Sequence, residues 1–311
     1  MLKEAGGEYL SGSLLAKRLG VSRAAVSKAV ARLRKRGFIV ESHPRLGYRL
    51  VVSDDLSEAQ AYMSGLSTKV RYVLHYLPST TSTQDVAKTL AEHGAPEGTV
   101  VVAEEMTAGR GRLGRRWHAA PGGLWMTVIL RPRCPPAKIQ LFSILSGVAA
   151  AQAIEGVCGV RTEVKWPNDV LIGGRKACGV LVEASVEADT VAYLLLGVGI
   201  NVNNELPEEL KGLAVSLKEV VGRAVPRLPL LTAFLLRLDD LYERLRRGDS
   251  EGIIREWRNR ASTLGRRVRA ICYDAVIEGV AVGVARDGAL LLRTKDGSIR
   301  VVRTGDIIHL R

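Results

Sequence analysis

The chain has 311 residues, a formal net charge of +13 and 47% hydrophobic residues with few aromatics. That length is more than one core usually serves and leaves room for about two or three domains. No run approaches the ~18 consecutive apolar residues of a membrane span, and "MLKEAGGEYL" lacks the apolar core of a secretory signal. A cytoplasmic protein with no membrane partner is expected. The charge is localised: residues 1–50 carry eleven Lys/Arg against three Asp/Glu, so +8 of the +13 sits there. Such an excess points to a polyanionic partner.

Within that segment, "SGSLLAKRLGVSRAAVSKAVARLRKRGF" predicts two helices around a tight turn. Leu14, Leu15 and Leu19 give the first an apolar stripe, and Gly20 suits its C-terminus. Ser22 caps the second helix, whose Val26, Val30 and Leu33 recur at helical spacing. Arg23, Ser27 and Lys28 lie off that stripe, near the helix end that enters a DNA groove in helix-turn-helix proteins. "FIVESHPRLGYRLV" (38–51) predicts two strands around a turn carrying Arg45, which makes the unit a winged helix. The alternative is a basic, solvated helix pair with no DNA role.

Residues 53–69 read as a helical linker opening at Ser53, with two aspartates in its first turn. From there the pattern alternates strands (70–77, 98–105, 124–131, 162–172, 177–186, 190–200) with helices (83–93, 136–157, 227–248, 250–260). Gly173 and Gly174 mark a hairpin turn. Strands joined by hairpins and packed on helices imply an α+β domain rather than a doubly wound one. The last fifty residues, with Asp-Gly turns at 287–288 and 296–297, predict a small β-barrel of the SH3 type. Cys134, Cys158, Cys178 and Cys272 are scattered without a CxxC pair and read as free thiols rather than metal ligands.

Three loops carry the chemistry. "AGRGRLGRRW" (108–117) has Gly109, Gly111 and Gly114 at the spacing of a dinucleotide-binding fingerprint. The fingerprint requires a helix opening at the last glycine, and "RRWHAAPGG" has no helical period. A glycine- and arginine-rich anion loop remains, with Arg110, Arg112, Arg115 and Arg116 as forked donors for phosphate or carboxylate. "KWPNDVLIGGRK" supplies Lys165, Asn168, Asp169 and Lys176, and "GVGINVN" ends a buried strand at Gly197 and Gly199 before Asn201 and Asn203. Each loop alone also has an ordinary reading as a solvated turn, a salt-bridged hairpin or a strand end.

Together and in order, the winged helix, "STQDVAKTLA", "AGRGRLGRRW", "KWPNDVLIGGRKACGVLVE", "GVGIN" and the small barrel resemble the biotin protein ligases. The resemblance is to the two-function members that also repress the biotin operon, and it covers essentially the whole chain. It implies a winged helix-turn-helix domain (1–52), the linker (53–69), a mixed-sheet, class II synthetase-like ligase domain (70–261) and an SH3-like domain (262–311). The implied reaction joins biotin and ATP into biotinyl-5′-AMP, then passes biotin to a lysine of a biotin carboxyl carrier protein. Operator DNA and a homodimer promoted by biotinyl-5′-AMP are the other implied partners.

By the same resemblance, Ser82, Thr83, Gln84, Met106, Arg110, Gly111, Arg112, Trp117 and Lys176 would surround biotin. Gly109, Gly114, Arg115, Arg116, Asn168 and Asn201 would hold the nucleotide. Lys176, Arg112 and Asp169 are the catalytic candidates, because fixed cations are the natural catalysts where a carboxylate attacks a phosphate. Mg2+ would ride on the phosphates, with Asp169 or Asn201 as candidate ligands. Ser22, Arg23, Ser27, Lys28 and Arg45 would meet DNA.

Two features depart from the family pattern. Met106 stands where most members have Gln, so a Met106→Gln change is expected to tighten biotin binding unless the pocket has been rebuilt around the thioether. Only "MLKEAG" precedes the "GEYLSG" stretch, barely one turn where the family opens with a full apolar helix, which leaves a monofunctional ligase with a vestigial winged helix as the alternative. A pure biotin-sensing transcription factor is disfavoured by Lys176, the arginine loop and the barrel. Lipoate ligases share the architecture but not these loops.

Overall fold

The computed structural model describes residues 1–35, 38–52, 54–272 and 275–310. Helix α1 (Gly12–Leu19) begins where Ser11 Oγ accepts the Leu14 amide and stops at Gly20, whose φ of 66° is left-handed. Helix α2 (Arg23–Lys35) is opened by Ser22, whose Oγ accepts the Ala25 amide at 3.1 Å. Strands β1 (Ile39–His43) and β2 (Gly47–Val52) pair antiparallel as the wing. Leu15, Val26, Val30, Phe38, Val40 and Leu50 close a small core of their own. The stripe on α1 is narrower than expected: Leu15 is buried, but Leu19 is 53% exposed. Residues 2–7 form turns in place of an opening helix, and Met1 and Leu2 pack against the small core.

Ser53, the expected start of the linker helix, lies outside the described residues. Asp55 caps instead, accepting the Ser57 amide at 3.0 Å before a 3-10 turn (Leu56–Glu58) runs into α3 (Ala59–Ser64).

The central unit follows in the order β3 (Val73–Leu77), α4 (Thr83–Glu92), β4 (Thr99–Ala103), β5 (Leu124–Leu130) and α5 (Ile139–Cys158). Next come β6 (Glu163–Lys165), β7 (Asp169–Ile172), β8 (Arg175–Glu187), β9 (Thr190–Ile200), α6 (Leu217–Val221), α7 (Arg227–Arg246) and α8 (Ser250–Arg258). Its seven strands lie in the order β3-β4-β5-β9-β8-β7-β6, with only β3 and β4 parallel. The run 162–172, expected as one strand, is a hairpin: residues 166–168 turn at Pro167, which cannot donate to a ladder. Helix α6 was not expected.

Side chains alternate across this sheet. Val100, Val102 and Val128 join the core built on α5, α7 and α8, while Val101, Ile129 and Leu195 meet Ala87 and Ala91 of α4. Burial on both faces explains the continuous apolar runs of β4 and β5. The segment Pro136–Cys158 has a mean hydropathy of 1.6, apolar enough to cross a membrane, yet α5 is packed between the sheet and α7–α8. An all-round apolar helix is what a core position requires.

The C-terminal unit is a five-stranded antiparallel sheet of β10 (Arg267–Ile271), β11 (Val276–Val284), β12 (Leu290–Arg293), β13 (Ile299–Val302) and β14 (Asp306–His309). Its order is β13-β12-β11-β10-β14.

One buried network ties the linker to the central unit. Asp54 and Arg227 are both fully buried, with Arg227 Nε 2.6 Å from Asp54 Oδ2 and Nη1 2.7 Å from Glu104 Oε1. Asp54 Oδ1 also accepts the Arg227 and Leu228 amides at 2.7 and 3.2 Å, so it caps α7, whose own N-cap position is Pro226. Burial raises the Glu104 carboxyl above its ordinary value, against the pull of Arg227. Glu104 Oε1 in turn accepts the Gly122 amide at 3.1 Å, close to the ends of β4 and β5.

Candidate active site

A cavity of about 250 Å³ opens where β5, β8 and β9 meet the N-terminus of α4 and the arginine loop. Ser82, Thr83 and Gln84 enter it from α4 and are each no more than 3% exposed. Ser82 Oγ accepts the Gln84 amide at 3.3 Å, which caps the helix and leaves the hydroxyl hydrogen for a ligand. Met106 sits beneath them: its Sδ accepts the Thr83 amide at 3.3 Å and faces the Thr83 hydroxyl at 3.6 Å.

The loop 107–117 folds back on itself. Trp117 N donates to Gly109 O at 2.8 Å, and Gly111 N donates to Arg115 O at 2.7 Å. Its tip is a 3-10 turn, with Leu113 and Gly114 at φ 56° and 70°. No α-helix starts there, so the exclusion of a dinucleotide fold stands. Gly109 and Gly114 shape the loop but do not line the cavity, which differs from the expectation for them. A Cβ on Gly109 would lie 2.7 Å from Trp117 O, so its role is the close approach of two backbone segments.

Arg110, Arg112, Arg115 and Arg116 all reach the cavity wall. Arg110 is anchored by Asp85 at 2.6 Å and Glu183 at 3.5 Å, which together raise its pKa despite burial. Burial holds Arg112 below its ordinary value, opposed by Asp306 and Asp169. Asp306 on β14 pairs with Arg115 and lies 3.9 Å from Arg112.

Opposite the loop, Lys176 Nζ is 2.6 Å from Asp169 Oδ1 and 5.1 Å from the centre of the Trp117 ring. Trp117 lies flat over β8 and β9 because Gly179 and Gly199 leave room: a Cβ on Gly199 would sit 2.7 Å from the indole nitrogen. Asn168 and Val180 bond each other across β7 and β8, and Asn201 Nδ2 donates to Lys176 O at 3.5 Å, holding that strand in place.

Among the described residues no three His, Cys, Asp or Glu side chains cluster as a metal site. One ion-paired carboxylate (Asp169) and one amide oxygen (Asn201, which accepts from Asn204 at 3.2 Å) fit a Mg2+ that takes most of its ligands from phosphate.

Every expected biotin-side residue lines this one cavity, as do Arg115, Arg116, Asn168, Asp169 and Asn201. Sequence reasoning misses Glu183, which pairs with Arg110 and Gln84 behind the cavity, and Asp306, Leu206, Leu210 and Leu213, which line it. In the N-terminal unit, Ser22 at the start of α2 and Arg23, Ser27 and Lys28 on it are exposed, as is Arg45 in the wing turn.

Residues 76–201 match the model of the biotin/lipoate A/B protein ligase family, 263–310 that of the biotin protein ligase C-terminal domain, and 1–49 a helix-turn-helix domain. The bifunctional ligase/repressor BirA of Bacillus subtilis is 39% identical over 99% of this chain and 96% of its own length. The chain belongs to the bifunctional biotin ligase/repressor family. Its Escherichia coli member is 32% identical over 97% of this chain and 94% of its own. Among solved structures, the Aquifex aeolicus biotin protein ligase in complex with biotin and ATP superposes with a TM-score of 0.67 at 30% identity. It covers 76% of this chain and 98% of the Aquifex chain.

Proposed function

We propose that this cavity forms biotinyl-5′-AMP and that the chain then passes biotin to a lysine of a biotin carboxyl carrier domain. The observation that carries the reading is the convergence of Lys176 and four arginines on one pocket that also holds the neutral polar group Ser82, Thr83 and Gln84 and the apolar Met126, Val180 and Val198. In the first step a biotin carboxylate oxygen attacks the α-phosphorus of ATP, and pyrophosphate leaves with the electron pair. Two anions must approach, so preorganised cations lower the barrier most. Lys176, its ammonium held by Asp169, would bridge the carboxylate and the α-phosphate. Arg112, Arg115 and Arg116 receive the phosphates. Mg2+, carried on the phosphates near Asp169 or Asn201, supplies further charge neutralisation when bound. In the second step the carrier lysine's neutral amine attacks the acyl carbon, and AMP leaves.

The winged helix makes the protein a DNA-binding, biotin-responsive repressor as well. It has its own core and a complete wing, which favours this reading over a vestigial domain although residues 2–7 form no helix. Dimerisation on biotinyl-5′-AMP would set two winged helices over paired half-sites, in a cytoplasmic setting. Incubating a carrier domain with the protein, ATP and biotin, then blotting with streptavidin, tests the enzyme. Absence of labelling would leave a sensor without catalysis.

A further inference from the structure

We infer that Glu183 is a specificity-determining positioning residue: it fixes which way the Gln84 amide points, and so supplies the acceptor for a ureido N–H. This rests on the ligase reading. A cyclic urea presents one carbonyl acceptor and two N–H donors, so its site needs a donor and at least one acceptor. The pocket's donor is available in the Ser82 hydroxyl. Two of its side-chain acceptors are already engaged. The Met106 sulfur already takes the Thr83 amide, and the Thr83 oxygen accepts from Thr127 Oγ1 at 2.9 Å.

Among the described residues, the cavity side-chain nitrogen and oxygen atoms that are buried without a hydrogen-bond partner, apart from the ion-paired Asp169, are two donors and one acceptor. The donors are Arg112 Nη1 and Trp117 Nε1; the acceptor is Gln84 Oε1. Gln84 is 3% exposed, so an unpaired amide oxygen there carries a cost that a ligand N–H removes.

The oxygen is in that position for a chemical reason. Gln84 Nε2 lies 3.1 Å from Glu183 Oε2 and 3.5 Å from Leu181 O. Both are acceptors only, so the NH₂ must face them and the C=O must face away. Gly197 completes the arrangement, since a Cβ there would lie 3.0 Å from the Gln84 amide carbon. With a neutral amide at 183 the Gln84 amide could turn over and present N–H to N–H.

Calorimetry with D-biotin on the full chain, together with the ATP KM from pyrophosphate release, tests this. Glu183→Gln is expected to weaken biotin roughly ten- to hundredfold while moving the ATP KM less than about twofold. Gln84→Glu alone should also lose biotin, because two carboxylates then face each other. The exchanged pair Gln84→Glu with Glu183→Gln restores a donor at 183 and an acceptor at 84, and should bind within about threefold of the parent. Asp85→Asn separates the amide effect from Arg110, loosening the closer anchor of that arginine without touching Gln84. Equal losses in Glu183→Gln and Asp85→Asn would place the effect on Arg110 and overturn the assignment, as would a failure of the exchanged pair to recover. A parent chain that binds no biotin would remove the ligase reading itself, a result distinct from either.

Discussion

Asp306, on the last strand of the C-terminal sheet, pairs with Arg115 of the ligand loop, 191 residues earlier in the chain. The same carboxylate lies 3.9 Å from Arg112, so one anion from a separate unit holds two guanidinium groups at the cavity. Phosphate binding by arginines that are already placed loses less conformational entropy than binding by free ones. Asp306→Ala is therefore expected to raise the ATP KM by about an order of magnitude, with biotin affinity changed little. A KM at or below the parental value would show that the carboxylate competes with phosphate instead of positioning its receptors.

Lys176→Ala removes the proposed catalytic cation and the ion-pair partner of Asp169. Adenylate formation, read as pyrophosphate release, should fall on the order of 10²-fold or more. A rate within tenfold of the parent would exclude Lys176 from the reaction.

Arg112 is partly buried, and its Nη1 has no hydrogen-bond partner in the protein. Arg112→Ala should let biotinyl-5′-AMP escape before transfer, and the activated acyl group would then meet bystander lysines. Mass spectrometry of a mixture with an unrelated protein should show labels on both; labels on the carrier alone would mean that the loop retains the intermediate without Arg112.

For Met106 the geometry changes the expectation set by its residue type. A thioether that receives the Thr83 amide and sits below a threonine hydroxyl is part of the helix start, not an unfilled acceptor position. Met106→Gln is expected to leave biotin affinity within about threefold, because its new amide oxygen would take over the Thr83 bond. A tenfold gain in calorimetry would show that the pocket lacks an acceptor at this position after all.

Operator binding should weaken steeply with salt, since the basic N-terminal segment would release counterions from phosphate. It should also require biotin and ATP, if the adenylate drives the pairing of winged helices. Gel shifts on the gene's own upstream DNA at two salt concentrations, each with and without both ligands, read both effects. Equal binding in all four lanes would refute them.

The loops legible in the sequence share a property: their residues cooperate over short spans. Arg110 to Trp117 form one turn, and Asp169 and Lys176 face each other across one hairpin. Helical spacing likewise announced α2. Contacts with no local signature were missed. Glu183 meets Gln84 across 99 residues, and Asp306 reaches Arg115 only because β14 lies at the sheet edge beside β10. Leu206, Leu210 and Leu213 escaped notice because an irregular segment gives no period to count. The split of 162–172 into two strands was written in Pro167, but a run of β-formers on both sides outweighed it.

Most helices are closed by a residue immediately before them; α7 is closed by Asp54, which lies 173 residues upstream. During synthesis that carboxylate leaves the ribosome long before the helix it completes, and Arg227 must find it, fully buried, at the end of assembly. The first helical residue after the wing, Leu56, is therefore a misleading place to cut. A fragment beginning just after Asp54 would lack the cap of one of its two longest helices and half the counter-charge of a buried arginine. Any autonomous ligase taken from this chain has to start upstream of Asp54.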